Sequence, residues 1–288
     1  MTPRSGSPRI RAVFLDLDGT LLDSSLGLPE RSRAALSRAT AAGVVVVLTS
    51  GRPARSLLRF ARAVRGLRYL IASNGGCLVD VVGGGATTFS TLPGRTVDAV
   101  LRIAEAHGVS PCVYGPLEWY AAEVDENVAV EVRRSWTEPV VGRDLRRLET
   151  EVVKLLLIGP PERLRDCHPD LRRLGPDAVE WFSTYEEYLE IMPAGMSKAV
   201  ACQEVLRLLG VGAAEAMAVG DGRNDVPMLQ WAGLAVAVAN AGQEALAVAD
   251  YTTSSNDHDG VAWAIDGLVF GDAAARAVVR PVGGDRGR

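Results

Sequence analysis

The 288-residue chain is 48% hydrophobic with a formal net charge of −4, which supplies apolar material for ordinary cores and predicts about two domains. Its acidic balance offers no basic field for gripping nucleic acid or an anionic membrane, so neither is expected as a partner. Residues 1–11 are polar, without the apolar stretch of a signal peptide, and 44–48 is far too short to span a bilayer, so a cytoplasmic protein is expected.

In chain order, a strand is predicted at 12–16, a helix over 29–42 stopped by Gly43, a β-branched strand at 44–48, a helix over 53–64 and a strand at 69–72. This alternation predicts a parallel sheet. It returns with a helix capped by Ser197 and running to 209, a strand at 216–219, a helix over 225–232 and a strand at 234–238. Between the two stretches lies an insertion at 83–187, opening at Gly83-Gly84-Gly85. It mixes strands at 111–121, 151–158 and 178–183 with a helix over 96–107, without strict alternation. The expected fold class is therefore α/β: a Rossmann-like parallel-sheet core in two parts, 1–82 and 188–270, with an α+β domain inserted at 83–187. The stretch 271–288, rich in glycine at its end, is expected to be a disordered tail.

Cys77, Cys112, Cys167 and Cys202 are widely spaced, with no Cys-x-x-Cys, and read as buried small hydrophobes rather than a disulfide framework or a zinc site. His107, His168 and His258 form no ligand spacing.

The chemistry gathers where strands end. In Asp16-Leu17-Asp18-Gly19-Thr20, positions i and i+2 of an extended chain share a side, so two carboxylates leave one strand tip together. Such a pair is unfavourable unless a cation or a shared proton offsets the repulsion. The second strand ends at Thr49-Ser50-Gly51-Arg52-Pro53, where a hydroxyl and a bare glycine backbone at a helix start suit a phosphate oxygen, although the same residues also read as an N-cap with Pro in the first turn. The third ends at Ser73-Asn74-Gly75-Gly76, which also reads as a plain turn. The fourth ends at Gly220-Asp221-Gly222-Arg223-Asn224-Asp225, a set of oxygen donors on a tight turn that fits Mg²⁺.

Only two lysines occur in a chain otherwise supplied with arginine. Lys198, at a helix start, is a compact point charge that can lie between carboxylates and a phosphate oxygen where a guanidinium fork cannot. Lys154, inside Val152-Val153-Lys154-Leu155-Leu156, is expected to snorkel from a strand of the inserted module.

Together these segments resemble the haloacid dehalogenase superfamily, and more closely its Cof-like phosphatases with a large cap domain. Asp16 to Leu22 matches the first motif of that family and Ser50-Gly51-Arg52-Pro53 the second, with Ser50 rather than Thr49 at the hydroxyl position. Met192 to Lys198 resembles the third and Gly220 to Leu229 the fourth. Ser73-Asn74-Gly75-Gly76 and Asn256-Asp257-His258-Asp259-Gly260-Val261-Ala262 are softer matches to the subgroup. About thirty residues separate the first two motifs and nearly 150 separate Ser50 from Lys198, so the cap falls after the third strand.

The resemblance implies a Mg²⁺-dependent phosphatase of small phosphomonoesters, such as a sugar phosphate or a phosphorylated cofactor. Asp16 is then the nucleophile and Asp18 the general acid and base. The metal is held by Asp16, the backbone carbonyl of Asp18, and Asp221, with Asp225 assisting the ion or anchoring Lys198. Ser50, Gly51, Lys198 and Asn224 hold the phosphate, and Asn74 and Arg52 are candidates on the substrate side. Phosphomutases, which return the phosphoryl group to a substrate, and a silent binding protein on the same fold are the alternatives. The insertion's Trp119, Tyr120, Trp136, Trp181, Phe182 and Tyr185 could stack on a substrate ring or fill the module's own core.

Overall fold

A computed structural model describes residues 9–282. Its contacts divide into two units, one of residues 9–50, 60–70 and 198–282, the other of 51–59 and 71–197.

In the first unit the strand order is Arg280–Pro281, Tyr251–Thr252, Leu234–Ala237, Ala216–Gly220, Ala12–Asp16 and Val45–Thr49. The pairings among Leu234–Ala237, Ala216–Gly220, Ala12–Asp16 and Val45–Thr49 are all parallel. Ala12–Asp16 and Ala216–Gly220 are buried along their whole length, as central strands of a parallel sheet covered on both faces must be. Asp16 pairs in register with Thr49, and Leu15 with Val219. The acidic tip, the hydroxyl-bearing tip and the Gly220 turn therefore leave the sheet at one end. In open parallel sheets this C-terminal end is where ligands bind.

The second unit contains a five-stranded antiparallel sheet in the order Trp119–Ala121, Ser110–Tyr114, Lys154–Ile158, Tyr188–Pro193, Val179–Phe182. Alternation along its strands sends Leu155, Leu157, Leu189 and Ile191 into one apolar cluster and Leu156, Ile158 and Tyr188 into another. The first cluster includes Val97, Val100, Leu101 and Ala104 of the helix Gly94–His107. Trp119 is fully buried in the second cluster, so this aromatic belongs to the core of its own unit.

Several expectations are corrected. The stretch 111–121 is two strands, because Gly115 N–H bonds back to Glu118 O at 2.8 Å and Pro116 has no N–H with which to continue a ladder. Glycines 83–85 do not open a separate module: Gly85–Thr88 pairs back on Cys77–Asp80 as a hairpin. Tyr188–Pro193, placed by sequence in the second part of the core, is the strand between Lys154–Ile158 and Val179–Phe182. Its apolar run reads the same for either sheet, so only pairing assigns it. The tail is ordered as far as it is described. Ala273–Val278 is a helix whose cap Asp272 accepts from Ala275 N–H, and Arg280–Pro281 pairs with Tyr251–Thr252. The alanine run and its Asp cap outweigh the glycines; residues 283–288 lie outside the described range. All four cysteines are buried and free.

Candidate active site

Asp16 closes the strand Ala12–Asp16, and the chain then reverses through Leu17–Leu21 with Gly19 at φ +79°. A Cβ on Gly19 would lie 2.6 Å from Asp221 Oδ2. Both the left-handed backbone and the close approach therefore require glycine. Thr20 Oγ1 donates to Asp221 Oδ1 at 2.6 Å, tying the first strand tip to the fourth.

Lys198, the first residue of the helix Lys198–Leu209, has a fully buried side chain. Its Nζ donates to Asp16 Oδ1 and, at 2.7 Å, to Asp225 Oδ1. The other oxygen of Asp225 accepts from the backbone N–H groups of Asp221 at 3.1 Å and Gly222 at 2.9 Å. Asp225 thus anchors both the lysine and the turn. Ser50 is buried just beyond Val45–Thr49, while the Thr49 hydroxyl donates to Leu15 O at 3.2 Å. Thr49 is committed inside the sheet. Asp18 is half-buried on the reversal, and Asn224 is half-buried on the turn Arg223–Asp225. Seven of the candidate residues therefore belong to the first unit, six at or just beyond the ends of its strands and Lys198 at the start of a helix.

Gly51, Arg52 and Asn74 belong to the second unit. Arg52 Nη1 donates to Arg134 O at 2.5 Å and its guanidinium lies 4.6 Å from the Trp136 ring. Asn74, at φ +56°, donates from Nδ2 to Glu190 Oε2 at 2.7 Å.

Lys154 does not snorkel. Its Nζ donates to Glu190 Oε2 at 2.8 Å and to Gly51 O at 2.6 Å, and both side chains of the pair are almost fully buried. Thr184 Oγ1 donates to Glu190 Oε1 at 2.7 Å. Sequence reasoning missed this pair. Its signal was one charge in each of two apolar strand runs, Lys154–Ile158 and Tyr188–Pro193, a pattern that pairing in one sheet explains.

Burial and the neighbouring Asp225 carboxylate raise the Asp16 pKa well above the usual carboxylate range, with Lys198 working in the opposite direction. Burial also pushes Asp221 up to about 6, the Thr20 hydrogen bond opposing the shift and Asp225 adding to it. Burial disfavours the Lys198 ammonium, but Asp16 and Asp225 outweigh it and hold its pKa above the ordinary value.

Asp16, Asp221 and Asp225 each offer a carboxylate oxygen within 4.8 Å of the others. A hard, all-oxygen donor set that resists ionisation fits a divalent cation such as Mg²⁺. A measurable consequence follows. A carboxyl whose native pKa is raised contributes stability that is present below the unfolded value and is lost as pH rises through the native one. For Asp221 that window runs from 3.8 to about 6. Once these groups have lost their protons, a divalent cation can replace them. The increase in melting temperature on adding Mg²⁺ is therefore expected to be larger at about pH 7.5 than at about pH 5. Equal shifts at both pH values would contradict this reading.

With a parallel-sheet core and carboxylates gathered at one end of it, the fold and site define a class of α/β protein with an acidic ligand site at the C-terminal ends of its strands. Residues 13–265 match the family model described as haloacid dehalogenase-like hydrolase. The chain belongs to that family, as its four motifs suggested. It is similar to 5-amino-6-(5-phospho-D-ribitylamino)uracil phosphatase YitU of Bacillus subtilis (strain 168), 29% identical over 87% of this chain and 94% of that protein. Among solved structures it is similar to a haloacid dehalogenase-like hydrolase from Bacteroides thetaiotaomicron, with TM-score 0.84 and 30% identity over 90% of this chain and 100% of the other. It also resembles TM0651 from Thermotoga maritima, with TM-score 0.80 and 27% identity over 90% and 97% of the two chains.

Proposed function

We propose that the protein is a Mg²⁺-dependent phosphatase of small phosphomonoesters that works through an aspartyl phosphate on Asp16. The observation that carries this reading is the Asp16–Lys198–Asp225 arrangement. A buried carboxylate at a strand tip is held by a buried ammonium, which is held in turn by a second carboxylate fixed on backbone N–H groups. Lys198 fixes one oxygen of Asp16 and so orients the carboxylate that would attack phosphorus.

When bound, Mg²⁺ would be held by Asp16, Asp221 and the backbone carbonyl of Asp18, and would neutralise charge on the site and the phosphate. Four aspartates, Asp16, Asp18, Asp221 and Asp225, and one lysine otherwise give a net charge of about −3 when all are ionised, which repels a phosphate dianion. The bond from the Asp16 oxygen to phosphorus forms as the bond to the ester oxygen breaks, and Asp18 gives its proton to that leaving oxygen. Asp18 then takes a proton from the water that attacks phosphorus, which frees Asp16 and releases orthophosphate. Ser50, Lys198 and Asn224 supply donors to the phosphoryl oxygens, and positioning with charge neutralisation is most of what phosphoryl transfer needs. Asp225, with both oxygens engaged, is assigned to anchoring Lys198.

The similarity to YitU favours phosphorylated sugar-like and heterocyclic metabolites as substrates. The test is a panel of phosphate esters assayed with Mg²⁺ and with excess chelator. Hydrolysis that requires the cation and releases one orthophosphate per alcohol is the expected result. Full activity in chelator would overturn the metal requirement, and transfer of the phosphoryl group to a second substrate would indicate a mutase.

A further inference from the structure

The segment Asn256–Gly260 has no part in the chemistry above, yet it lies in the first unit against the turn that carries Asp18. Asn256 Nδ2 donates to Leu22 O at 2.9 Å. The Asn256 N–H donates to Asn240 Oδ1 at 3.0 Å, and Asn240 Nδ2 donates onward to Gly19 O at 2.7 Å. Asp257 accepts from Ser24 twice, from N–H at 2.7 Å and from the hydroxyl at 2.5 Å. Residues 19, 22 and 24 are thus tethered from one direction, while Asp221 packs against Gly19 from another.

The tethering segment is itself tightly determined. Asp259 sits at φ +58°, and Gly260 packs on the Ser254 carbonyl with no room for a Cβ. Thr253 Oγ1 donates to Gly260 O at 2.9 Å. A left-handed non-glycine residue held in this way marks a place where the surroundings override local preference.

We propose that Asn240, Asn256 and Asp257 are positioning residues, a clamp that holds the Gly19 turn and thereby aims the Asp18 carboxyl at the ester oxygen. The inference rests on the assignment of Asp18 as acid and base. Asp18 is followed by glycine, the residue with the freest backbone, so the peptide planes after it can turn and re-aim Asp18 unless they are held. Asn240 Nδ2 on Gly19 O holds the Gly19–Thr20 plane, on the far side of that glycine. Asn240 and Asp257 are exposed, so they contribute little to the core, and their removal separates aim from stability.

The test uses Asn240→Asp in the full chain. The substituted side chain keeps the acceptor for Asn256 N–H but presents an oxygen to Gly19 O. An alkyl phosphomonoester, whose leaving group needs a proton, is expected to lose about tenfold in kcat, and 4-nitrophenyl phosphate about twofold, with the melting temperature near wild type. Hydrogen exchange in the cation-free protein gives an independent readout, and amides of residues 19–24 are expected to exchange about tenfold faster. Equal loss with both esters, or unchanged exchange at 19–24, overturns the clamp. A wild-type protein inert toward every ester would instead overturn the phosphatase reading, and the role of Asp18 with it.

Discussion

Asp16→Asn is expected to lower kcat on an aryl phosphate by about a thousandfold or more, because an amide cannot form the acyl phosphate. The same change is expected to leave the melting temperature unchanged or to raise it. Asp16 is a buried carboxylate whose pKa is raised by desolvation and by Asp225, with Lys198 only partly compensating. Removing its charge relieves repulsion toward Asp225 and Asp221 while nearly preserving shape. Lys198 keeps Asp225 as its partner at 2.7 Å. Loss of activity with retained stability separates a nucleophile from a structural residue. Kinetics at the wild-type level would remove Asp16 from the role.

Lys198→Met is expected to damage both properties. The side chain is fully buried and donates to two carboxylates, so its loss leaves two buried acids facing each other with no counter-charge. Removing one partner of a buried ion pair costs about 3–5 kcal/mol, a loss that chemical denaturation with urea would register directly. Turnover is expected to fall at least a hundredfold, since the group that holds the Asp16 carboxylate, and that under the proposed mechanism neutralises phosphate charge, is gone. Lys198→Arg is expected to retain charge but not activity, because a planar fork is too large for a site built around one ammonium. If Arg or Met at this position supported normal turnover, Lys198 would be a spectator and the arrangement carrying the proposed function would fail.

The legible part of the site consists of residues whose chemistry is unusual for their place in the chain. Two aspartates at the end of an apolar run, a Gly-Asp-Gly turn before a helix, and a lone lysine at a helix start each conflict with ordinary packing preferences, and such conflicts mark function. Lys154 shows the reverse case. A lysine inside an apolar strand reads as a side chain reaching for water, and only its pairing partner decides otherwise. Glu190 lies 36 residues away, and the register of the Lys154–Ile158 and Tyr188–Pro193 pair brings the two together. The Asn240 contact to Gly19 spans 221 residues, and an exposed asparagine carries no local sign of its partner.

By itself the sequence determined the α/β class and the strands that end at Asp16, before Ser50 and at Gly220, because hydrophobic period and turn chemistry are local properties, and its four motifs carried the resemblance to the haloacid dehalogenase-like hydrolases that the family match bears out. The tertiary structure alone decided which sheet Tyr188–Pro193 joins, that Asp225 spends both oxygens on Lys198 and the backbone, that Lys154 is buried against Glu190, and that Asn240 and Asn256 grip the turn after Asp18. These are long-range pairings. They are set by sheet register and by the need of each buried polar group for a partner, and neither is encoded within a few residues of the group concerned.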